Sequence, residues 1–214
     1  MKKAKMILLF IALIITCSCK TAIMKMAGLR KPGIETKTSI VHYLQKLKQD
    51  TNDVYTLDTT LMENLRRESF KPGMAKGFRP VQIRIYDKNG EPVMQWASCE
   101  GFLKDLKTFD SVPPRNHNGL NKSLKLQEDL SRYYTLDGTS SSITVPTGFD
   151  YFILIYFAKY FPRLSKESFR QVEKYALKHN ELKMKIYKIN VDVQKFWGVE
   201  LENEMDIHAG SDKK

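Results

Sequence analysis

The stretch that most restricts this chain is Tyr151-Phe152-Ile153-Leu154-Ile155-Tyr156-Phe157-Ala158, the longest apolar run beyond the N-terminal leader. It is too short to span a bilayer and is bounded by Gly148 and Pro162, so it predicts a central strand covered on both faces. A strand of that kind requires a layer above it and a layer below. The residues that follow supply a helix. Ser165 can cap it, Glu167 suits its positive first turn, Phe169, Val172 and Ala176 with Tyr175 recur at helical spacing, and Asn180 can end it. From Leu182 to Val191, the apolar residues Leu182, Met184 and Ile186 alternate with lysine, and Ile189 and Val191 then resume out of step. This predicts a second strand, buried more deeply at its far end. Strand, helix and strand make a βαβ unit whose crossover is long enough for parallel pairing.

A second motif lies upstream. In Arg79-Pro80-Val81-Gln82-Ile83-Arg84-Ile85-Tyr86-Asp87-Lys88-Asn89-Gly90-Glu91, Val81, Ile83 and Ile85 alternate with polar residues, Asn89-Gly90 signals a tight turn, and Val93 to Ala97 forms the return strand. Ile40, Val41, Leu44 and Leu47 make one face of a helix over Ser39 to Gln49, capped by Ser39 or Thr38. A short strand follows at Val54 to Leu57. Thr59 or Thr60 then opens another helix, carrying Leu61, Met62 and Leu65, that ends by Pro72-Gly73. Ser111 to Gly148 reads as a linker with a short helix around Leu124 to Tyr134. The fold class is therefore α/β, in one domain over residues 39–199, with a polar tail from Glu200 to Lys214.

The segment Ile155-Tyr156-Phe157-Ala158-Lys159-Tyr160-Phe161-Pro162-Arg163-Leu164-Ser165 resembles the active-site segment of thioredoxins, where a buried strand ends in an aromatic-Ala-x-Trp-Cys-x-x-Cys pattern ahead of a helix. Tyr160 sits where that family has its Trp, and Lys188-Ile189-Asn190-Val191-Asp192 resembles the strand after the family's helix. Phe161 and Leu164 occupy the two cysteine positions, and neither side chain can attack a disulfide or resolve a mixed one. The hairpin resembles the second half of a thioredoxin domain, with Pro80 where the family has its cis-proline, which implies a final helix whose Phe102, Leu103, Leu106 and Phe109 face the sheet; an ordinary hairpin with an edge proline is the alternative. The order of the pieces departs from the family, because here the proline hairpin comes first. The resemblance implies a permuted, thioredoxin-like mixed sheet of about five strands flanked by helices. Its order would be Val54–Leu57 at one edge, Leu182–Val191, Tyr151–Ala158, Val81–Tyr86, and Val93–Ala97 at the other edge. It also implies a redox-dead centre with two readings. Either Tyr160, Phe161, Pro162, Arg163 and Leu164 form an exposed binding patch beside Pro80, at the end of a parallel strand where α/β proteins place their sites, or Phe161 and Leu164 repack inward.

At the N-terminus, Lys2, Lys3 and Lys5 precede the apolar run Met6 to Ile15, the layout of a secretory signal peptide over residues 1–18. Thr16-Cys17-Ser18-Cys19 resembles a bacterial lipoprotein box, which implies cleavage before Cys19 and its lipidation, with Cys17 as the less favoured anchor and a soluble secreted form as the plain alternative. Several acyl chains would hold the protein stably on a membrane. The sorting signals of that lipoprotein family, an aspartate after the cysteine or an acidic run, are both missing where Lys20-Thr21-Ala22 stand, so the resemblance implies an outer membrane and its periplasmic side. Residues 19–38, with Pro32-Gly33, read as a polar tether. Removing the three leader lysines takes the formal net charge from +11 to +8. That excess lies on lysines such as Lys46, Lys48, Lys183, Lys185 and Lys188 that alternate with apolar positions, as a solvated face does. With no Arg-rich arm or aromatic platform, nucleic acid is not expected as a partner, and weak attraction to anionic head groups is.

With Cys19 as the anchor, Cys99 is the one thiol left, so no internal disulfide is expected. A buried, inert Cys99 is the first reading; a single-thiol redox or peroxidase-like enzyme using Cys99 is the second. His42, His117, His179 and His208 are too far apart for zinc-ligand spacing, and no Gly-x-Ser-x-Gly, Walker or dinucleotide motif is present, so neither metal nor cofactor is expected. The carboxylates Asp110, Asp129, Asp137 and Asp150 fall in loops and turns, where they could meet only through the fold. The functional reading is a lipid-anchored, non-catalytic binding or structural module of the cell envelope.

Overall fold

The computed structural model describes residues 28–57, 59–60, 80–97, 124–141 and 143–198. In chain order these form β1 (Ile34–Glu35), α1 (Lys37–Lys46), β2 (Val54–Leu57), β3 (Gln82–Asp87), β4 (Pro92–Ala97), α2 (Leu126–Leu130), β5 (Tyr133–Thr135), β6 (Tyr151–Phe157), α3 (Pro162–Lys178), β7 (Met184–Asn190) and β8 (Val193–Gln194), followed by a 3₁₀ turn at Lys195–Trp197. The signal peptide, Cys17, Cys19, most of the tether, Cys99, the helix expected over Phe102 to Phe109 and the tail lie outside the described residues. Of the helix expected after β2, only Thr59 and Thr60 are described, and both are helical.

Six strands form one mixed sheet in the order β4-β3-β6-β7-β2-β5. β6, β7 and β2 are mutually parallel, while β3 and β4 continue antiparallel beyond β6. The order expected for five strands is the order observed. Val54–Leu57 is not an edge, however, because β5 pairs antiparallel with it through Tyr55↔Thr135 and Leu57↔Tyr133. The stretch expected to be helical through Tyr134 ends its helix at Leu130; Tyr133-Tyr134-Thr135 is aromatic and β-branched, and joins the sheet instead.

β6 is buried on both sides. Its odd-numbered residues Ile153, Ile155 and Phe157 pack with Ile40, Tyr43 and Leu44 of α1 and Phe169, Val172 and Tyr175 of α3. Its even-numbered residues Phe152, Leu154 and Tyr156 pack with Leu126 and Leu130 of α2 and with Tyr187 and Ile189. The change of step along β7 has a specific cause. Lys188 continues the face that Met184 and Ile186 begin, and its ammonium is 3.0 Å from Asp50 and 3.1 Å from the Asn52 carbonyl in the loop after α1. Lys188 is therefore buried, unlike exposed Lys46, Lys48 and Lys183. A lysine expected to be solvated is instead buried, with its ammonium reaching a carboxylate at the surface.

Local sequence sets the helix ends. α1 starts earlier than expected: Thr36 is its cap, in a reciprocal capping box with Ser39. It ends in a Schellman turn, with Lys48 N–H to Gln45 C=O at 2.9 Å and Gln49 N–H to Leu44 C=O at 3.0 Å. That turn places Lys48 at φ 59°, where glycine is usual. α3 begins at Pro162, whose missing N–H costs nothing at the first helical position, and closes at His179 rather than Asn180. In the hairpin, Gly90 (φ +77°) lets its carbonyl accept from Leu126 N–H at 2.9 Å, so the turn carries the start of α2.

A buried polar cluster fixes α2 to the sheet. Asp129 accepts from Arg84 at 2.8 Å, Tyr86 at 2.7 Å and Tyr133 at 2.8 Å. Tyr133 and Tyr156 share a hydrogen bond, and the Arg84 guanidinium lies 4.9 Å from the centre of the Tyr156 ring. Burial, with the Asp129 charge, raises the Tyr86 and Tyr133 phenols well above their ordinary range.

Candidate functional site

β6 and β7 run parallel and end side by side, and the richest convergence of polar groups among the described residues other than the Asp129 cluster lies at that end. After Phe157 the chain passes through fully buried Ala158 and turns over Lys159 to Phe161 into α3. Ser165, expected as the helix cap, does something else. Its hydroxyl donates to the Ala158 carbonyl at 2.8 Å and accepts from the Ala158 N–H at 3.0 Å, tying the strand end to the first helical turn.

Asp192 organises the other side. It is 1% exposed. Its carboxylate accepts from the Lys159 N–H at 2.8 and 3.0 Å and from Asn190 Nδ2 at 2.7 Å. Asn190 Oδ1 in turn accepts from Gln194 Nε2 at 2.7 Å. Burial lifts the Asp192 carboxyl to about 6; its N–H donors oppose that rise, and the nearby charge of Glu35 adds to it. Glu35 pairs with the Lys159 ammonium and accepts from Ser39 Oγ at 2.5 Å. The Tyr43 hydroxyl is buried near Ser165, and burial pushes its phenol up to about 12, against the opposing effect of Ser165. The arrangement can hold a proton near neutrality at Asp192, but every oxygen of that carboxylate faces inward onto donors of its own chain.

The turn is covered as well. Residues 28–35, expected as free tether, lie along this end of the sheet. The Arg30 N–H donates to the Tyr160 carbonyl at 2.9 Å, and Ile34 and Glu35 pair in parallel with Val193 and Gln194. Gly28 backs onto Arg163, so close that a Cβ there would stand 3.5 Å from the Arg163 Cβ. The tether joins the domain at this turn.

Of the residues expected to form an exposed patch, only Arg163 is exposed; Tyr160, Phe161, Pro162 and Leu164 are half-buried. Leu164 packs on the α1/α3 side of the core, Tyr160 on the other side, and Phe161 on both. The rings of Tyr160 and Phe161 are 4.6 Å apart. Burial, then the Asp192 charge, holds the Tyr160 phenol well above its ordinary range. Pro80 is also half-buried. It stands two residues beyond the Gln82↔Tyr156 pair, which puts it at the same end of the sheet as Ala158 and the turn. The fold thus gathers the expected residues at one end of the sheet, and adds Glu35, Lys159, Asp192 and Tyr43, which sequence reasoning did not select. Asn190-Val191-Asp192, polar residues directly after a buried strand, was the available signal.

Among the described residues, no group of three or more His, Cys, Asp or Glu side chains is placed to hold a metal ion, and no helix is long and apolar enough to cross a membrane. His42 is exposed, and His179 lies against the Tyr175 ring. What fold and site define together is an α/β protein with a mixed six-stranded sheet and a buried polar cluster at the ends of its parallel strands. Comparison with protein-family models, with curated proteins and with solved structures found no match.

Proposed function

We propose that this chain is a lipid-anchored envelope protein that uses a thioredoxin-like sheet, without its redox centre, as a binding or structural module. The observation that carries this reading is the turn between β6 and α3. Phe161 and Leu164 stand where the resemblance would put two sulfurs, and both pack against the core. A thiol exchange site needs an accessible thiolate and a resolving sulfur; these positions hold carbon side chains that the fold uses for packing. The sheet supports the kinship by its sense as well as its order, with three parallel strands continued by an antiparallel proline-led hairpin. The Thr16-Cys17-Ser18-Cys19 box after a basic, apolar leader supports the anchor.

The test has two arms. Replacing Cys19 with Ser abolishes acylation of the mature terminus, read by mass spectrometry, and the protein loses its processed, membrane-held form; an unmodified Cys19 in the native protein would refute the anchor. In an insulin-reduction assay the purified protein shows no turnover, and Cys99 labels far more slowly than free cysteine. Clear turnover or fast labelling would instead support a single-thiol enzyme.

A further inference from the structure

We infer that the outward side of α3 is a membrane-contacting surface for anionic phospholipid head groups. The inference rests on the anchored reading for its proximity to a bilayer, and on the helix itself for its chemistry. All five basic residues of α3, Arg163, Lys166, Arg170, Lys174 and Lys178, fall at intervals of three and four, so they share one side of the helix. All five are exposed, and Phe169, Val172 and Tyr175 occupy the opposite, buried side. Leu177 lies within the basic stripe and is 77% exposed, the most exposed large hydrophobic residue among those described. Two acids offset part of this charge, Glu167 paired with Arg170 and bonded by Gln171, and Glu173 accepting from Gln49, so five cations and two anions leave the helix three positive charges in excess. A row of cations around one apolar side chain matches a surface of phosphates over acyl chains.

The position of the tether selects this partner over a soluble polyanion. Residue 28 lies against Arg163, at the first turn of α3, and eight residues separate it from Cys19. Fully extended, the nine steps from Cys19 to Gly28 reach about 30 Å. A helix of 17 residues is about 25 Å long. An acylated Cys19 therefore keeps the first turn of α3 within about 30 Å of the head groups and its last turn within about 55 Å, so the end of α3 nearest the anchor leads. Lys/Arg attraction to an anionic leaflet adds a factor of about five per residue at low salt and is lost within a Debye length.

The test uses the mature, acylated full chain reconstituted on two kinds of vesicle, phosphatidylcholine alone and phosphatidylcholine with 30% phosphatidylglycerol. Amine acetylation is read residue by residue by mass spectrometry. Retention on the neutral vesicles reports the anchor. The expected result is that Lys166 and Lys174 are acetylated several-fold more slowly on the anionic vesicles than on the neutral ones, while exposed Lys88 and Lys195 are acetylated equally on both. The difference should disappear at 0.5 M salt and in the double variant Arg163→Gln/Arg170→Gln. Equal labelling of Lys166 and Lys174 on the two vesicles would overturn the inference while leaving the anchor intact. Protection by a soluble oligonucleotide equal to that by anionic vesicles would also overturn it, in favour of a general polyanion site. If the protein is not retained on neutral vesicles, the anchored reading falls, and the stripe is then judged on anionic vesicles alone: protection there supports it and its absence overturns it.

Discussion

Asp192→Asn provides a quantitative handle on the polar cluster. The Asp192 carboxyl rises from an ordinary 3.8 to about 6 on folding, because burial outweighs the hydrogen bonds it accepts. Two units at about 1.4 kcal/mol each make about 3 kcal/mol of linkage. A raised carboxyl favours the folded state in its protonated form, so this contribution is fully present below about pH 4 and is lost as pH rises through about 6. Asparagine cannot ionise. In urea unfolding at half-unit steps from pH 3.5 to 8, the stability of the variant minus that of the native protein should therefore climb by about 3 kcal/mol, chiefly between pH 4 and 6, and then level off. The amide also disturbs the contacts with Lys159 and Asn190, but that offset is independent of pH and drops out of the slope. Glu35→Gln should move the climb toward pH 4, since it removes a negative charge that raises the Asp192 carboxyl. A flat difference would mean that Asp192 ionises normally in the fold. A falling one would mean that its N–H donors outweigh burial. Either result would refute the reasoning.

Four further outcomes follow from the packing. Asp129→Ala strands the Arg84 guanidinium and three phenols in the interior and should cost about 3–5 kcal/mol, read from the urea midpoint. Lys48→Gly relieves a left-handed backbone at an exposed position and should add about 1 kcal/mol. In an alkaline titration followed by phenolate absorbance, Tyr86, Tyr133 and Tyr156 should ionise only in a cooperative step with unfolding, because burial holds all three well above the ordinary phenol range. Phe161→Asp should lower the melting temperature by several degrees and Arg163→Asp should not, since Phe161 packs on both sides of the sheet and Arg163 is exposed.

Where the sequence repeats with the period of an element, the fold is legible in it. β6, the hairpin and the α3 core face could be read from Tyr151–Ala158, from Val81, Ile83 and Ile85, and from Phe169 and Val172. Their pairing order also followed, because the resemblance supplied a template that periodicity alone lacks. β5 escaped notice because three residues are too few to show a period, and its place depends on β2 and on the turn at Gly138. Lys188 was misread for a related reason. Alternation marks which side a residue faces, and only the loop carrying Asp50 makes that side an interior one. The site was half legible: Tyr160 to Leu164 and Pro80 lie at the same end of the sheet. Their cover was not legible, since Glu35 and Lys159 are far apart in sequence and residues 28–35 have the composition of a linker. Ser165 has the chemistry of a cap, and only Ala158 beside it shows why it turns inward.

The docking of residues 28–35 also has a mechanical side. These eight residues are held by one backbone bond to Tyr160, a two-residue ladder and the Glu35 pair, whereas the sheet beneath is held by six interlocked strands. A pull from the front of the chain meets the weak holdings first and one after another. Letting them go frees at most about 25 Å of chain before α1 is loaded, so the molecule carries its own slack ahead of the sheet.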